Sequence, residues 1–115
     1  MLDYAACCGY FHQSDVPAPT AEALMRSRYS AYVMKLMPYL LDSWHDSTRP
    51  ASLDLSEPIK WLELDVIRQE QIDTTHVIVE FIARYKVQGR ACRLHEVSHF
   101  VLENGRWFYV NGEHR

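Results

Sequence analysis

The sequence predicts a single small α+β domain, two N-terminal helices packed on a C-terminal antiparallel sheet. Apolar residues recur at helical spacings as far as Trp44, then at period two from Leu62 onward, and short polar turns separate the period-two runs. A length of 115 residues suits one core, and 48% apolar with 23% charged residues is a globular composition rather than a disordered one.

Residues 1–19 show no sustained periodicity and end in Val16-Pro17-Ala18-Pro19, where two prolines block helix and favour extended backbone. This lead-in is expected to stand apart from a domain spanning residues 20–115. Thr20 occupies an N-cap position and Glu22 lies in the first turn, so a helix is expected from Ala21 to Val33. Met37, Leu40, Leu41 and Trp44, with Pro38 in the first turn, predict a second helix from Met37 to Trp44. The stretch from His45 to Pro58 reads as a loop with one short helical turn near Ser52.

Leu62, Leu64 and Val66 then alternate with Trp61, Glu63, Asp65 and Ile67, predicting a strand whose inner face carries the first set. His76 to Val87 gives the strongest strand pattern, with Val77, Val79, Phe81, Ala83, Tyr85 and Val87 on one face. A turn at Gly89 leads to a third strand, Ala91 to Leu102. Asn104-Gly105 suits a type I′ hairpin turn into a fourth strand, Arg106 to Val110. One apolar face of such a meander needs the helices as a lid, and a sheet curling around them forms a cone with a cavity inside.

A net charge of −3 with interspersed signs excludes nucleic-acid binding through a basic field. No apolar run approaches the ~20 residues of a membrane span, and the N-terminus lacks the layout of a secretory signal, so a cytoplasmic protein is expected. Cys7, Cys8 and Cys92 make an odd count with an adjacent pair, which argues against a disulfide framework.

Several runs carry a resemblance: Tyr4-Ala5-Ala6-Cys7-Cys8-Gly9, Glu22 through Tyr32, Trp44-His45, Thr48-Arg49-Pro50, and Gly105 through Gly112. Together they resemble the YchJ-like family of uncharacterised bacterial proteins, over nearly the whole chain. The resemblance implies a central domain similar to nuclear transport factor 2, preceded by a zinc-binding SEC-C motif. Cys7 and Cys8 match the two distal ligand positions of that motif, while the proximal Cys-x-Cys pair is missing from this sequence. No cofactor is expected, and zinc only if the missing half of the motif is supplied, since His12 alone does not complete a four-ligand site.

On the parity of the third strand, Glu96 and Ser98 share the core-directed face with Leu94, Phe100 and Leu102, so the carboxylate must be paired or neutralised. Arg26 and Arg28 are the natural partners; they leave the helix axis about 160° apart, so at most one points inward. Two readings stay open, a structural ion pair joining helix to sheet, or a ligand cavity. In the second, Glu96 is the candidate acid or base beside Ser98, Tyr29, Tyr32 and Tyr109. Trp44 and His45, beside Arg49, form the candidate cavity rim, against the plainer reading of a core tryptophan with a surface histidine.

Glu80 reads as one half of a solvated cross-strand pair. His95 and His99 lie ~13 Å apart along one strand, too far to share an ion. Cys92 has no base beside it in sequence and reads as an unreactive, half-buried thiol.

The leading expectation is a non-enzymatic small-molecule or protein-binding adaptor, because the resemblance implies a SEC-C module of a kind that commonly docks proteins. The alternative, resting on fold analogy, is an isomerase or dehydratase using Glu96. An enzyme should present Glu96 in a deep cavity beside a proton partner, whereas a docking module should have it consumed by an arginine and an exposed apolar patch on the sheet. The fold often dimerises through its outer sheet face, and Ile78 and Ile82 suit a homodimer there.

Overall fold

The computed structural model describes residues 18–115. Two helices, α1 (Ala21–Val33) and α2 (Met37–Asp42), precede four strands, β1 (Ile59–Asp73), β2 (His76–Val87), β3 (Arg90–Glu103) and β4 (Arg106–His114). The strands lie in sequence order and every neighbouring pair is antiparallel. This is the expected helix-then-meander arrangement. Cys7, Cys8 and His12 lie outside the described residues.

Thr20 is extended (φ −139°), and its hydroxyl accepts the Ala23 N–H at 3.0 Å, satisfying one of the donors that a helix start leaves open. Thr20→Ala is therefore expected to lower stability by about 1 kcal/mol; urea denaturation should show a lower midpoint with an unchanged slope. At the other end Lys35 takes a left-handed conformation (φ 56°), and the Leu36 N–H reaches back to the Ala31 carbonyl at 2.8 Å. With the Lys35 N–H on the Tyr32 carbonyl at 3.3 Å this is a Schellman closure, which turns the chain sharply into α2.

α2 ends at Asp42, two residues before the expected Trp44. Ser43 caps it through its N–H to the Tyr39 carbonyl, and the chain then leaves the helix to pair with β4. The Tyr109 N–H donates to the Ser43 carbonyl at 2.9 Å, and the His45 N–H donates to the Tyr109 carbonyl at 2.7 Å. Tertiary pairing has overridden the helical spacing of Trp44. The loop near Ser52 contains no helical turn.

β1 carries three register shifts, and the extra residues are Leu62, Ile67 and Ile72. All three are exposed, at 47%, 50% and 56%. The simple alternation expected for this strand fails at the first bulge: Trp61, not Leu62, shares the inner face with Leu64 and Val66, opposite Tyr85, Ala83 and Phe81. Each bulge bends the strand and increases its twist, which curves the sheet over the helices. Gln88-Gly89 and Asn104-Gly105 both have paired positive φ values, as type I′ turns require.

The turn after β1 is held by Asp73, whose Oδ1 accepts from the Thr75 N–H at 2.8 Å and lies 2.8 Å from the His76 ring. The Thr75 N–H first, then His76, hold the carboxyl down at about 2. Because this folded value lies below the ~4 of a free aspartate, its contribution to stability is complete above pH ~4 and is lost as pH falls towards 2. Asp73→Asn should remove this part of the acid sensitivity, seen as a flatter profile of thermal midpoint between pH 4 and 2.

The core joins Leu24 and Met25 of α1 to Val77, Val79, Phe81 and Ala83 of β2 and Phe100 of β3. Ala18, placed by sequence in the lead-in, is buried in the same cluster. On the outer face Glu80 accepts from His95 Nε2 at 2.6 Å and from Arg68 Nε at 2.7 Å, and these two contacts hold its carboxyl below the ordinary range. The expected cross-strand pair is thus a bridge over three strands. Ile78 and Ile82 beside it are half-buried.

Candidate functional site

A cavity of about 350 Å³ lies between α1, the segment 54–59 and the inner face of the sheet. Arg28, Tyr29, Tyr32, Glu96, Ser98 and Tyr109 all line it. They come together because α1 projects the first three from one side while β3 and β4 present the others from below.

β3 and β2 pair without irregularity, so Glu96 stands opposite Phe81 and Ser98 opposite Val79, both facing inward. Between β3 and β4 the register shifts, with His99 opposite Asn111 but Phe100 opposite Tyr109. Val110 is the extra residue, and it resets the alternation so that Tyr109 and Gly112 both face inward.

The glycine matters for space. Glu96 lies directly over Gly112, and a Cβ there would occupy the position of the carboxylate. That carboxylate accepts the Ser98 hydroxyl through Oε2 at 2.5 Å, while Oε1 lies 3.4 Å from His114 Nε2. The Glu96 side chain is 12% exposed and His114 74%, so the pair runs from the cavity floor to solvent.

Of the two readings for Glu96, the ion pair with an α1 arginine does not form among the described residues. Arg28 is 5% exposed, and its Nη1 donates to the Leu40 carbonyl at 2.7 Å and to Ser43 Oγ at 2.6 Å. Its guanidinium carbon sits 4.4 Å from the Tyr109 ring centroid and 5.0 Å from that of Trp44. The open carbonyls at the end of α2 and two ring faces have taken the charge. Burial lowers the Arg28 pKa, countered by Tyr32, Tyr109, Tyr39 and last by Glu96; a guanidinium nevertheless stays charged at neutral pH.

Burial also pushes the Tyr109 hydroxyl far above its usual range, with Glu96 adding to the effect. Among the described residues that hydroxyl has no hydrogen-bond partner. Burial raises Tyr32 too, against the pull of Arg28, and raises Tyr29 with help from Glu63. These phenols are hydrogen-bond donors at neutral pH, not bases.

The upper wall is aromatic. Tyr29 packs edge-on to Trp61 with centroids 5.5 Å apart, and Tyr32 lies at 6.3 Å from the same indole. Trp61 is a site residue that the sequence pattern assigned to the wrong face, because the bulge at Leu62 inverts the parity. At the mouth stand Lys35, Asp54 and Glu57. The Ser56 hydroxyl and N–H hold the Asp54 carboxyl below its usual range.

Arg26 points away from the cavity, exposed and paired with Glu22 at 3.2 Å. Trp44 stands behind Tyr109, edge-on at 5.0 Å, with its indole N–H on Thr48 at 3.1 Å. His45 is held 2.8 Å from Glu103 and edge-on to Phe108, and Arg49 donates to the Trp44 carbonyl at 3.0 Å. The three build the support behind Tyr109 rather than the cavity lining. Among the described residues no three His, Cys, Asp or Glu side chains cluster as a metal site, and no helix is long and apolar enough to cross a membrane.

Residues 20–112 match the family described as "YchJ, middle NTF2-like domain". The UPF0225 protein of Polaromonas naphthalenivorans is 55% identical over 112 residues, 97% of this chain and 82% of that protein. That of Cupriavidus metallidurans is 52% identical over 97% of this chain and 84% of its own length. Among solved structures, a SEC-C motif containing protein from Rhodopseudomonas palustris superposes with a TM-score of 0.85 at 34% identity, covering 96% of this chain and 90% of that one. A second, from Psychrobacter arcticus, gives 0.83 at 28% identity, covering 96% and 71%.

Proposed function

The chain belongs to the YchJ family, through that family's nuclear transport factor 2-like middle domain, and from this premise we propose that it is a binding protein whose cavity holds a small, largely apolar molecule. One observation carries the reading: Glu96 faces an aromatic-walled space and is not tied to an arginine. A cavity of about 350 Å³ with apolar walls and a few convergent polar groups has the dimensions of a ligand site. Neither Tyr32 nor Tyr109 supplies the base for a proton transfer, because general bases work best with pKa values near the working pH. Tyr32 and Tyr109 are both shifted away from neutrality.

The isomerase or dehydratase reading keeps one observation in its favour, the contact between Glu96 and the exposed His114, which would let a proton leave the cavity. An adaptor role through an N-terminal SEC-C segment is compatible with either, given that both solved neighbours are SEC-C motif containing proteins.

Ala83 lines the cavity from β2 and is 1% exposed, so Ala83→Leu grows a side chain into the space without disturbing the surface. Ligand-detected NMR on a mixture of small aromatic compounds should find binders to the wild type that Ala83→Leu loses while retaining a cooperative thermal transition. The same binders on both proteins would refute the cavity as the site.

A further inference from the structure

We infer that the ligand is a small organic cation, a protonated amine whose ammonium group seats against Glu96 while its body lies among Tyr29, Tyr32 and Trp61. The inference rests on the cavity reading and gives it a charge.

Glu96 is the carboxylate of the floor. Its two oxygens offer about four acceptor sites, of which Ser98 and His114 address two. The cation that could have neutralised it, Arg28, spends Nη1 on Leu40 and Ser43 and presses its plane against Tyr109 and Trp44. An ammonium entering the cavity therefore meets a carboxylate with acceptor capacity left. Its path is also acidic, because Asp54, kept ionised by Ser56, and Glu57 outnumber Lys35 at the mouth.

The aromatic walls favour the same charge, against the Arg28 guanidinium that also lines the cavity. The faces of tyrosine and tryptophan rings carry negative potential and attract organic ammonium groups, most strongly where water is excluded. Tyr29 and Tyr32 both converge on Trp61. A carboxylate ligand would instead place a second negative charge beside Glu96 in a desolvated space, and a neutral ligand would gain nothing from its charge.

Three probes with a common body separate these cases: phenethylamine, phenethyl alcohol and phenylpropionate, titrated by NMR into the full chain. The amine should bind about tenfold more tightly than the alcohol, with phenylpropionate weakest. Glu96→Gln should abolish the preference and leave affinity for the alcohol within about twofold. If the alcohol or phenylpropionate binds the wild type as tightly as the amine, the cation assignment is wrong while the cavity reading stands. If no probe binds, or Ala83→Leu binds all three as the wild type does, both fall.

Discussion

Arg28→Met is expected to destabilise the domain by about 2–3 kcal/mol, the upper scale for a buried acceptor that loses a charged hydrogen-bond donor. Arg28 is 5% exposed, and both groups it serves are equally inaccessible, Leu40 at 0% and Ser43 at 1%. Methionine fills the volume of the stem but donates no hydrogen bond, so the Leu40 carbonyl is left without the Arg28 donor in a site closed to water. The ring faces of Tyr109 and Trp44 lose their cation at the same time.

Arg28→Lys should recover only part of the loss, because a single ammonium cannot lie flat between two rings and also reach both oxygens. Urea denaturation of the three proteins checks the order, wild type above lysine above methionine. A methionine variant within about 0.5 kcal/mol of wild type, the effect of an ordinary surface change, would remove Arg28 from the account of what fastens α2 to α1.

The second large effect is expected at Gly112. Gly112→Ala places a methyl group where the Glu96 carboxylate lies, so the side chain must swing away or the two strands must part. Overpacking of this kind costs about 1–3 kcal/mol. The carboxylate would also leave its Ser98 bond, and the amine preference inferred for the cavity should disappear with it.

The collision is specific, which makes a double-mutant cycle decisive. In a Glu96→Ala background the same glycine substitution should cost far less, with a coupling of at least ~1 kcal/mol between the two sites. Additive losses would mean that Gly112 is constrained by something other than Glu96.

How much of this was legible in the sequence depends on where the chain stays regular. α1 appeared with its observed limits, since Thr20 and the first-turn Glu22 mark its start in local chemistry. β2 also matched, because its alternation runs from His76 to Val87 without a break on the strand itself. Glu96 and Ser98 were placed on the correct face for the same reason.

The misplacements coincide with bulges or with backbone partners. An extra residue at Leu62 leaves no mark on an apolar pattern, yet it exchanges Leu62 for Trp61 on the inner face. The extra residue at Val110 turns Gly112 inward in the same way. A carboxylate is the natural partner to expect for Arg26 or Arg28 because charges can be counted in a sequence. The actual acceptors of Arg28, the Leu40 carbonyl and the Ser43 hydroxyl, become available only where α2 has ended and the chain beyond it pairs with β4. Arg49 does stand beside Trp44, but none of Trp44, His45 and Arg49 lines the cavity, and Tyr109 stands between Trp44 and the space.

The central claim is that the space under α1 is a ligand site, and the chain carries its own reporters. Of its three tryptophans, Trp61 lines the cavity, while Trp107 lies at the other end of the sheet beside Leu102. In a nitrogen-15 NMR titration with phenethylamine, the Trp61 indole N–H resonance should move in a saturable way while that of Trp107 stays in place. Movement of Trp107 alone, or no saturable movement at Trp61 with phenethylamine, phenethyl alcohol or phenylpropionate at millimolar concentration, would contradict the account.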